Sequence, residues 1–164
     1  MQHIININTD IESFPDNIIK SIIDAIHETL KSEQVDTVCV VNILITNDAE
    51  IQSFNRDYRC IDKATDVLSF PMQTFSGAGW DSLQNPEYDE DTGELPLGDI
   101  IVSYETVLKH AEEYGNTVEH EMAYMIIHST LHLLGYDHDN ESNEKQMHKK
   151  TSVILRHEES LRIK

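Results

Sequence analysis

Long apolar runs are missing from this 164-residue chain. No stretch approaches the ~20 consecutive apolar residues of a membrane-spanning helix, so we expect no membrane segment. The N-terminus, which begins at Met1, has no basic region followed by an apolar run and a cleavage site, and we expect no secretory signal. Only two cysteines occur, Cys39 and Cys60, without metal-ligand spacing. This pattern predicts free thiols and a cytoplasmic location.

Basic residues are scarce as well. The chain has 12 Lys and Arg against 30 Asp and Glu, which gives a formal net charge of −18. Such a chain repels nucleic-acid phosphates on average. The cations are clustered, however: Arg56, Arg59 and Lys63 lie close together, and the last 20 residues hold half of the total. Two local basic patches on an acidic body are therefore compatible with a nucleic-acid partner.

The length and the 39% of apolar residues favour one domain, residues 1–164, with a single core. Hydrophobic periodicity predicts strands at 4–7, 38–46, 67–72 and 99–104. It predicts helices at 14–30, 47–56, 105–114, 117–134 and 142–161. Residues 73–98, rich in Gly, Pro and carboxylates, are typical of a long, mobile, acidic loop. Strands gathered early and helices gathered late predict an α+β fold.

The segment HSTLHLLGYDH, from His128 to His138, carries the strongest chemical pattern. His128 and His132 are four residues apart on a predicted helix, so their rings leave one face. Gly135 follows where helices commonly end in a left-handed residue, so the chain can reverse and return His138 to that face. Three neutral imidazoles leave a fourth tetrahedral position for water, as in catalytic zinc sites. The spacing predicts one zinc ion per chain, bound by these three histidines.

The same histidine spacing occurs in metzincin proteases. Those enzymes place a glutamate directly after the first histidine as the general base, but Ser129 stands there in this chain. A serine cannot replace a carboxylate as proton acceptor, so the pattern disfavours a zinc peptidase or amidase, which stays an alternative. Six histidines are expected to be surface or packing residues: His3, His27, His110, His120, His148 and His157.

Four short segments resemble motifs of the YbeY endoribonuclease family, and they occur along the chain in the family's order. HSTLHLLGYDH is similar to the family's HGxLHLxGYDH, with Ser129 in place of the usual glycine. Residues 55–59 resemble its N-x-x-Y-R element and residues 65–71 its TDVLSFP element. Residues 97–100 resemble its LGDI element. The motifs run from about residue 55 to 138, and the N-terminal third agrees in its pattern of secondary structure.

The resemblance implies a single-strand-specific, zinc-dependent endoribonuclease that acts in maturation of the small-subunit ribosomal RNA 3′ end and in ribosome quality control. It implies single-stranded ribosomal RNA and the ribosomal small subunit, or its associated factors, as partners. It also implies a mainly four-stranded mixed sheet with about five helices. By motif matching, His128, His132 and His138 correspond to the metal ligands and Arg59 to the functional arginine. A non-catalytic ribosome-associated factor with a structural metal is a second alternative, which a fourth protein ligand would support.

Phosphodiester hydrolysis needs a nucleophile and positive charge near the developing oxyanions. Zinc with its bound water supplies the nucleophile, and zinc plus a guanidinium supply the charge. Arg59 is predicted to be the catalytic arginine because its planar fork meets phosphate oxygens bidentately. We assign no general base, and we assign no catalytic role to Asp66 or Asp99.

Overall fold

The computed structural model of the chain describes residues 1–163. Its strands are β1 (Ile4–Thr9), β2 (Cys39–Thr46), β3 (Val67–Pro71), β4 (Thr74–Phe75), β5 (Leu83–Gln84) and β6 (Leu95–Ser103). Its helices are α1 (Asp16–Ser32), α2 (Asp48–Arg59), α3 (Tyr104–Tyr114), α4 (Val118–Leu133) and α5 (Glu141–Ile163). Among the described residues, no helix is both long and apolar enough to cross a bilayer.

Four strands form one mixed sheet in the order β1-β2-β6-β3. The first three of these run parallel, whereas β3 is antiparallel to β6. The short strands β4 and β5 pair separately. The predicted α+β fold with a four-stranded mixed sheet and five helices is therefore confirmed.

The two central strands, β2 and β6, bury side chains on both faces of the sheet. On one face Ile43 and Ile100 join the main core with α1, α4 and α5. On the other face Ile101 meets Ile51 of α2 and Leu68 of β3 in a smaller cluster. Burial on both faces explains why these strands are almost continuously apolar.

Helix α4 lies at the centre of the helical layer and contacts α1, α3, α5, β3 and β6. It begins at an N-cap, Thr117, whose hydroxyl accepts the backbone N–H of His120 at 3.0 Å. Ten of its 16 residues are buried. Because most of the helix is enclosed, a polar side chain on it reaches solvent only along one narrow stripe.

Helix α2 continues three residues beyond its predicted end at Arg56. It begins as predicted, since the Asn47 side chain accepts the N–H of Glu50 at 2.9 Å. It ends at Arg59, and the next residue, Cys60, takes a left-handed conformation with φ of 59°. No Gly or Pro marks this end in the sequence, which is why the boundary was misplaced. As a result, Arg59 occupies the last helical position.

Strand β6 begins at Leu95, four residues earlier than predicted. Pro96 and Gly98 suggested a loop, but the N–H of Leu95 donates to the carbonyl of Val38 at 2.9 Å and extends the sheet. Gly98 is required there, because a Cβ would lie 2.5 Å from the carbonyl oxygen of Phe70 on β3. The prediction of one uninterrupted loop over 73–98 is wrong, since this segment also holds β4 and β5.

Candidate metal centre and its cleft

The three histidines of the HSTLHLLGYDH segment lie together at the C-terminal end of α4. Ring centroids are 5.0 Å apart for His128 and His132 and 4.8 Å for His132 and His138. The His128 and His138 centroids are 6.2 Å apart. Imidazoles sharing one tetrahedral zinc at 2.0–2.1 Å place their centroids roughly 5 Å apart. The grouping is therefore close to a metal-binding arrangement, with one separation about 1 Å too long.

As they stand, the three side chains do not form a closed metal site. Within residues 1–163, no three His, Cys, Asp or Glu side chains are positioned closely enough to hold a metal ion as they stand. His128 and His132 are half-buried on the rigid helix, whereas His138 is exposed on the following turn. His138 is thus the least enclosed of the three rings.

The turn after α4 brings His138 toward the helix. The N–H of Gly135 donates to the carbonyl of His132, and that of Tyr136 donates to the carbonyl of Leu131, both at 3.1 Å. Gly135 has a φ of +92°, which glycine adopts without steric cost. These bonds end the helix in the way expected of a glycine-terminated helix and reverse the chain.

Hydrogen bonds behind the rings set which nitrogen faces the cleft. Nδ1 of His132 lies 2.9 Å from the carbonyl oxygen of Tyr136. Nδ1 of His128 lies 3.3 Å from Oγ1 of Thr151, and that hydroxyl donates to the carbonyl of Met147. Both acceptors require a proton on Nδ1, which leaves Nε2 unprotonated. This is the arrangement that orients metal-binding histidines in known sites.

Burial also keeps these rings neutral. It lowers the pKa of His128 to about 4, helped by the neighbouring His132 and His138 and opposed by the charge of Asp66. Burial likewise lowers the pKa of His132, although its bond to the Tyr136 carbonyl acts in the opposite direction. Neutral imidazole is the form that binds metal, so both rings are in the competent state at neutral pH.

A cleft of about 740 Å³ opens in front of the histidines, between α4, the end of α2 and β3. Arg59 lines it, and the Arg59 charge contributes to lowering the pKa of His132. Within residues 1–163 no carboxylate lies within 4.0 Å of the Arg59 guanidinium. Arg56, one turn earlier, lies 3.3 Å from Asp57 and 3.9 Å from Asp62. Of these two arginines, only Arg59 is free to meet an anion in the cleft.

Two carboxylates, Asp66 and Glu144, also line the cleft and provide proton acceptors near the histidines. The position after the first histidine offers none, because Ser129 is fully buried and its hydroxyl has no hydrogen-bond partner. Ser129 therefore faces the core and not the cleft, which agrees with the prediction that this sequence disfavours a zinc peptidase. Asp99 is absent from the cleft lining and bonds to Asn42 across the sheet at 3.0 Å.

Sequence reasoning missed the contribution of α5 to this site. Glu144 lines the cleft, Thr151 bonds to His128, and His148 bonds through Nδ1 to the hydroxyl of Tyr124 at 2.6 Å. The Tyr124 ring stacks on His128 with centroids 6.0 Å apart. Positions 144, 148 and 151 follow a helical period of i, i+4 and i+7, so they share one face. This spacing is the sequence pattern that indicates a polar face of α5 directed toward the site.

The residues of this site fall inside a region shared with known proteins. The sequence profile of the family described as Endoribonuclease YbeY matches residues 3–159. The chain belongs to the YbeY family. Two relatives, both named Endoribonuclease YbeY, are similar over most of their length. The protein from Caldicellulosiruptor saccharolyticus is 38% identical over 159 residues, which is 94% of this chain and 96% of the relative. That from Clostridium botulinum is 40% identical over 160 residues, 94% and 92% of the two chains.

A solved structure is similar to this chain in its fold. The solution structure of TM1509 from Thermotoga maritima matches with a TM-score of 0.58 and 29% sequence identity. The match covers 93% of this chain and 87% of that protein. The family profile and the two named relatives confirm the resemblance to the YbeY family that the motifs indicated.

Proposed function

We propose that this chain is a zinc-dependent endoribonuclease that cleaves single-stranded RNA. We further propose that it acts in the cytoplasm on the 3′ end of small-subunit ribosomal RNA and in ribosome quality control, in contact with the small subunit or its factors. Relatives 38% to 40% identical carry the name endoribonuclease. The observation that carries the proposal is one open cleft lined by three grouped imidazoles and by an arginine that has no carboxylate partner within residues 1–163.

His128, His132 and His138 would hold the metal through their Nε2 atoms. The donor set fits zinc, because two rings are neutral, anchored through Nδ1, and about 5 Å apart. His138 would complete the set, and its exposed ring is the least enclosed of the three. When bound, zinc would polarise a phosphoryl oxygen and activate a water molecule.

Arg59 would hold the scissile phosphate. Its guanidinium projects from the last turn of α2 into the cleft and has no competing carboxylate within salt-bridge distance in the described chain. A planar fork binds two phosphate oxygens at once and stabilises the charge that develops on them. In this proposal Arg59 contacts the substrate phosphate and is not a metal ligand.

No observation favours the two alternatives. A zinc peptidase needs a carboxylate beside the first histidine, and buried Ser129 cannot serve. A purely structural metal would be enclosed by four protein ligands, whereas His138 is exposed and the histidines face a cleft of about 740 Å³.

The test compares zinc-loaded wild type, His132→Ala, His110→Ala and an EDTA-treated sample on single-stranded RNA, duplex RNA and casein. His110 is the matched control because it lies on α3, outside the cleft. Cleavage of single-stranded RNA is expected only from wild type and His110→Ala. Digestion of casein would instead indicate a peptidase. Full zinc occupancy without any cleavage would indicate the non-catalytic factor.

The ribosomal role needs its own substrate. A transcript that carries the small-subunit RNA 3′ end should be offered alone and within a precursor particle, and the 3′ ends of the products mapped. Cleavage at one position in the particle is expected. Random cleavage in both would limit the proposal to a general single-strand nuclease.

A further inference from the structure

Tyr58 is an unusually open aromatic side chain at the edge of the cleft. It lies on the last turn of α2, directly before Arg59, and lines the same cleft as the histidines. Its exposed fraction is 69%. Isolated exposed aromatic residues are common on protein surfaces, so exposure alone assigns no role.

Two ring contacts distinguish Tyr58 from an ordinary surface residue. Phe54, one helical turn earlier, stacks on it with centroids 6.1 Å apart and an interplanar angle of 16°. Phe70 of β3 meets it in a T-shaped contact at 5.7 Å and 67°. The ring is thus held in one orientation by its neighbours while most of its surface stays open. A side chain fixed before binding loses little conformational entropy when a ligand covers it.

We propose that Tyr58 is a base-stacking platform that holds one unpaired base of the nucleotide whose phosphate meets Arg59. This inference rests on the proposed function and specifies how the same cleft would select its substrate. Bases of a single strand expose their faces to an aromatic ring, whereas bases in a duplex are stacked on their neighbours. Stacking on Tyr58 would therefore admit any base sequence but reject paired RNA.

The neighbouring side chains fit this role. Arg59 supplies the charge for the backbone, and the adjacent ring supplies the surface for the base. Other exposed tyrosines do not share this setting: Tyr88 is 47% exposed and Tyr114 is 63% exposed, and neither lines the cleft. Tyr88→Ala is therefore a matched control for the loss of an exposed phenol ring.

The experiment measures kcat/KM on a single-stranded oligonucleotide and on a series in which one base at a time is removed. Tyr58→Ala and Tyr58→Leu should lose about five-fold or more on the intact strand, the low end of what one stacked base contributes. Tyr58→Phe and Tyr58→Trp should keep wild-type rates, because they retain an aromatic face. Tyr88→Ala should also keep them.

The decisive result is that the effects of Tyr58→Ala and of removing one base are not additive. Removing one particular base near the cleaved bond should slow wild type as much as Tyr58→Ala does, and Tyr58→Ala should lose nothing more on that strand. Tyr58→Ala should also discriminate less between single-stranded and duplex RNA. Zinc content should stay at wild-type values in all Tyr58 variants. Thermal stability should fall only slightly in Tyr58→Ala and Tyr58→Leu, since the ring contacts Phe54 and Phe70 but is mostly exposed.

Two negative outcomes are distinguishable. If wild type cuts RNA and Tyr58→Ala loses the same factor at every abasic position, or loses nothing, the stacking platform is overturned and the proposed nuclease stands. If zinc-loaded wild type cuts no RNA, the proposed function fails and this inference fails with it.

Discussion

Each of the three grouped imidazoles should contribute separately to zinc binding. His128→Ala, His132→Ala and His138→Ala are each expected to lose most of the one zinc per chain, because two imidazoles bind zinc far more weakly than three. Metal analysis of dialysed protein measures this, with His110→Ala as control. A variant of these three that keeps full zinc would remove that residue from the ligand set.

Arg59 and Arg56 form a pair for comparison on one helix. Arg59→Ala should keep its zinc and cut RNA about 100-fold or more slowly, as expected when one charge-stabilising donor is removed. Arg59→Lys should recover only part of the rate, since an ammonium lacks the planar fork. Arg56→Ala should have a much smaller effect, because Arg56 is engaged by Asp57 and Asp62. Equal losses in both alanine variants would contradict a specific role for Arg59.

The pKa of His128 predicts how stability of the zinc-free protein depends on pH. It is about 4 in the folded chain against an ordinary 6.5, so between these values only the unfolded chain binds this proton. Unfolding free energy should then fall as the pH is lowered from about 6.5 toward 4, by at most about 3 kcal/mol from this group. Urea titrations between about pH 7 and pH 5 measure the slope. In His128→Gln this position cannot bind a proton, so the dependence of the unfolding free energy on pH should be weaker than in wild type. Equal slopes in the two proteins would contradict the lowered pKa of His128.

At the residue scale, the sequence predicts the grouping of the three histidines better than the hydrogen bonds that orient them. The spacing of His128, His132 and His138 is enough to group them, because helix geometry and a glycine turn are local. The acceptor for His128 is Thr151, 23 positions away on another helix, and its placement depends on how α4 and α5 pack. The acceptor for His132 is the main-chain carbonyl of Tyr136, which no side-chain pattern encodes.

Among the elements, the turn after α4 is the one that the site depends on most directly. A Cβ on Gly135 would lie 2.5 Å from the carbonyl oxygen of Gly77 and 2.7 Å from Cβ of Phe75. Gly115, which ends α3 at a φ of +66°, has nothing within 4 Å of such a Cβ. Both Gly→Ala changes carry the cost of a left-handed backbone, roughly 1–2 kcal/mol. Gly135→Ala should cost about 1–3 kcal/mol more, because its neighbours must also move.

Urea unfolding of the two glycine variants, together with zinc analysis, tests this difference. Gly115→Ala should bind zinc normally, whereas Gly135→Ala should bind less because His138 is displaced. Equal stability losses with unchanged zinc would show that the turn adapts without affecting the site.

The sequence predicts the type of an element where hydrophobic periodicity is strong. It does not predict the boundaries of elements whose ends depend on contacts elsewhere in the fold or on an unusual backbone conformation. The apolar stripes of α1 and α4 and the continuous run of β2 identify those elements. The early start of β6 depends on a hydrogen bond from the N–H of Leu95 to the carbonyl of Val38, which directly precedes β2 and is far from Leu95 in sequence. The late end of α2 depends on Cys60 adopting a left-handed conformation without a glycine.

For the whole molecule, the main electrostatic fact is that two of the five described C-terminal cations are held by carboxylates whose side chains are enclosed. Lys150 lies 2.8 Å from Glu33, and Arg162 lies 2.8 Å from the buried carboxylate of Glu158. Lys164 lies outside the described residues. In the described chain, residues 81–94 do not line the cleft, so the most acidic loop is away from the proposed RNA path. Productive RNA contact is therefore expected to depend on few cations.

Few contacts imply weak binding of free RNA with a shallow salt dependence. Each phosphate neutralised on a single strand contributes a slope of roughly −0.7 to log affinity against log salt concentration. Arg59→Ala should make the slope shallower by about this amount. A Lys145→Ala, Lys149→Ala double variant, which leaves the Lys150 ion pair intact, should keep the wild-type slope. Tight, steeply salt-dependent binding by wild type would contradict this account.

The end of α2 has a practical consequence for spectroscopy. Cys60 is exposed and directly follows Arg59, whereas Cys39 is buried and burial raises the pKa of its thiol to about 12. A thiol is nucleophilic only when deprotonated and accessible, so Cys39 is protected from alkylating dyes. The unmodified sequence, with only these two cysteines, thus accepts a single fluorophore beside the cleft. The fluorescence of this dye would report RNA binding and release at the cleft in real time, and no cysteine would have to be introduced or removed.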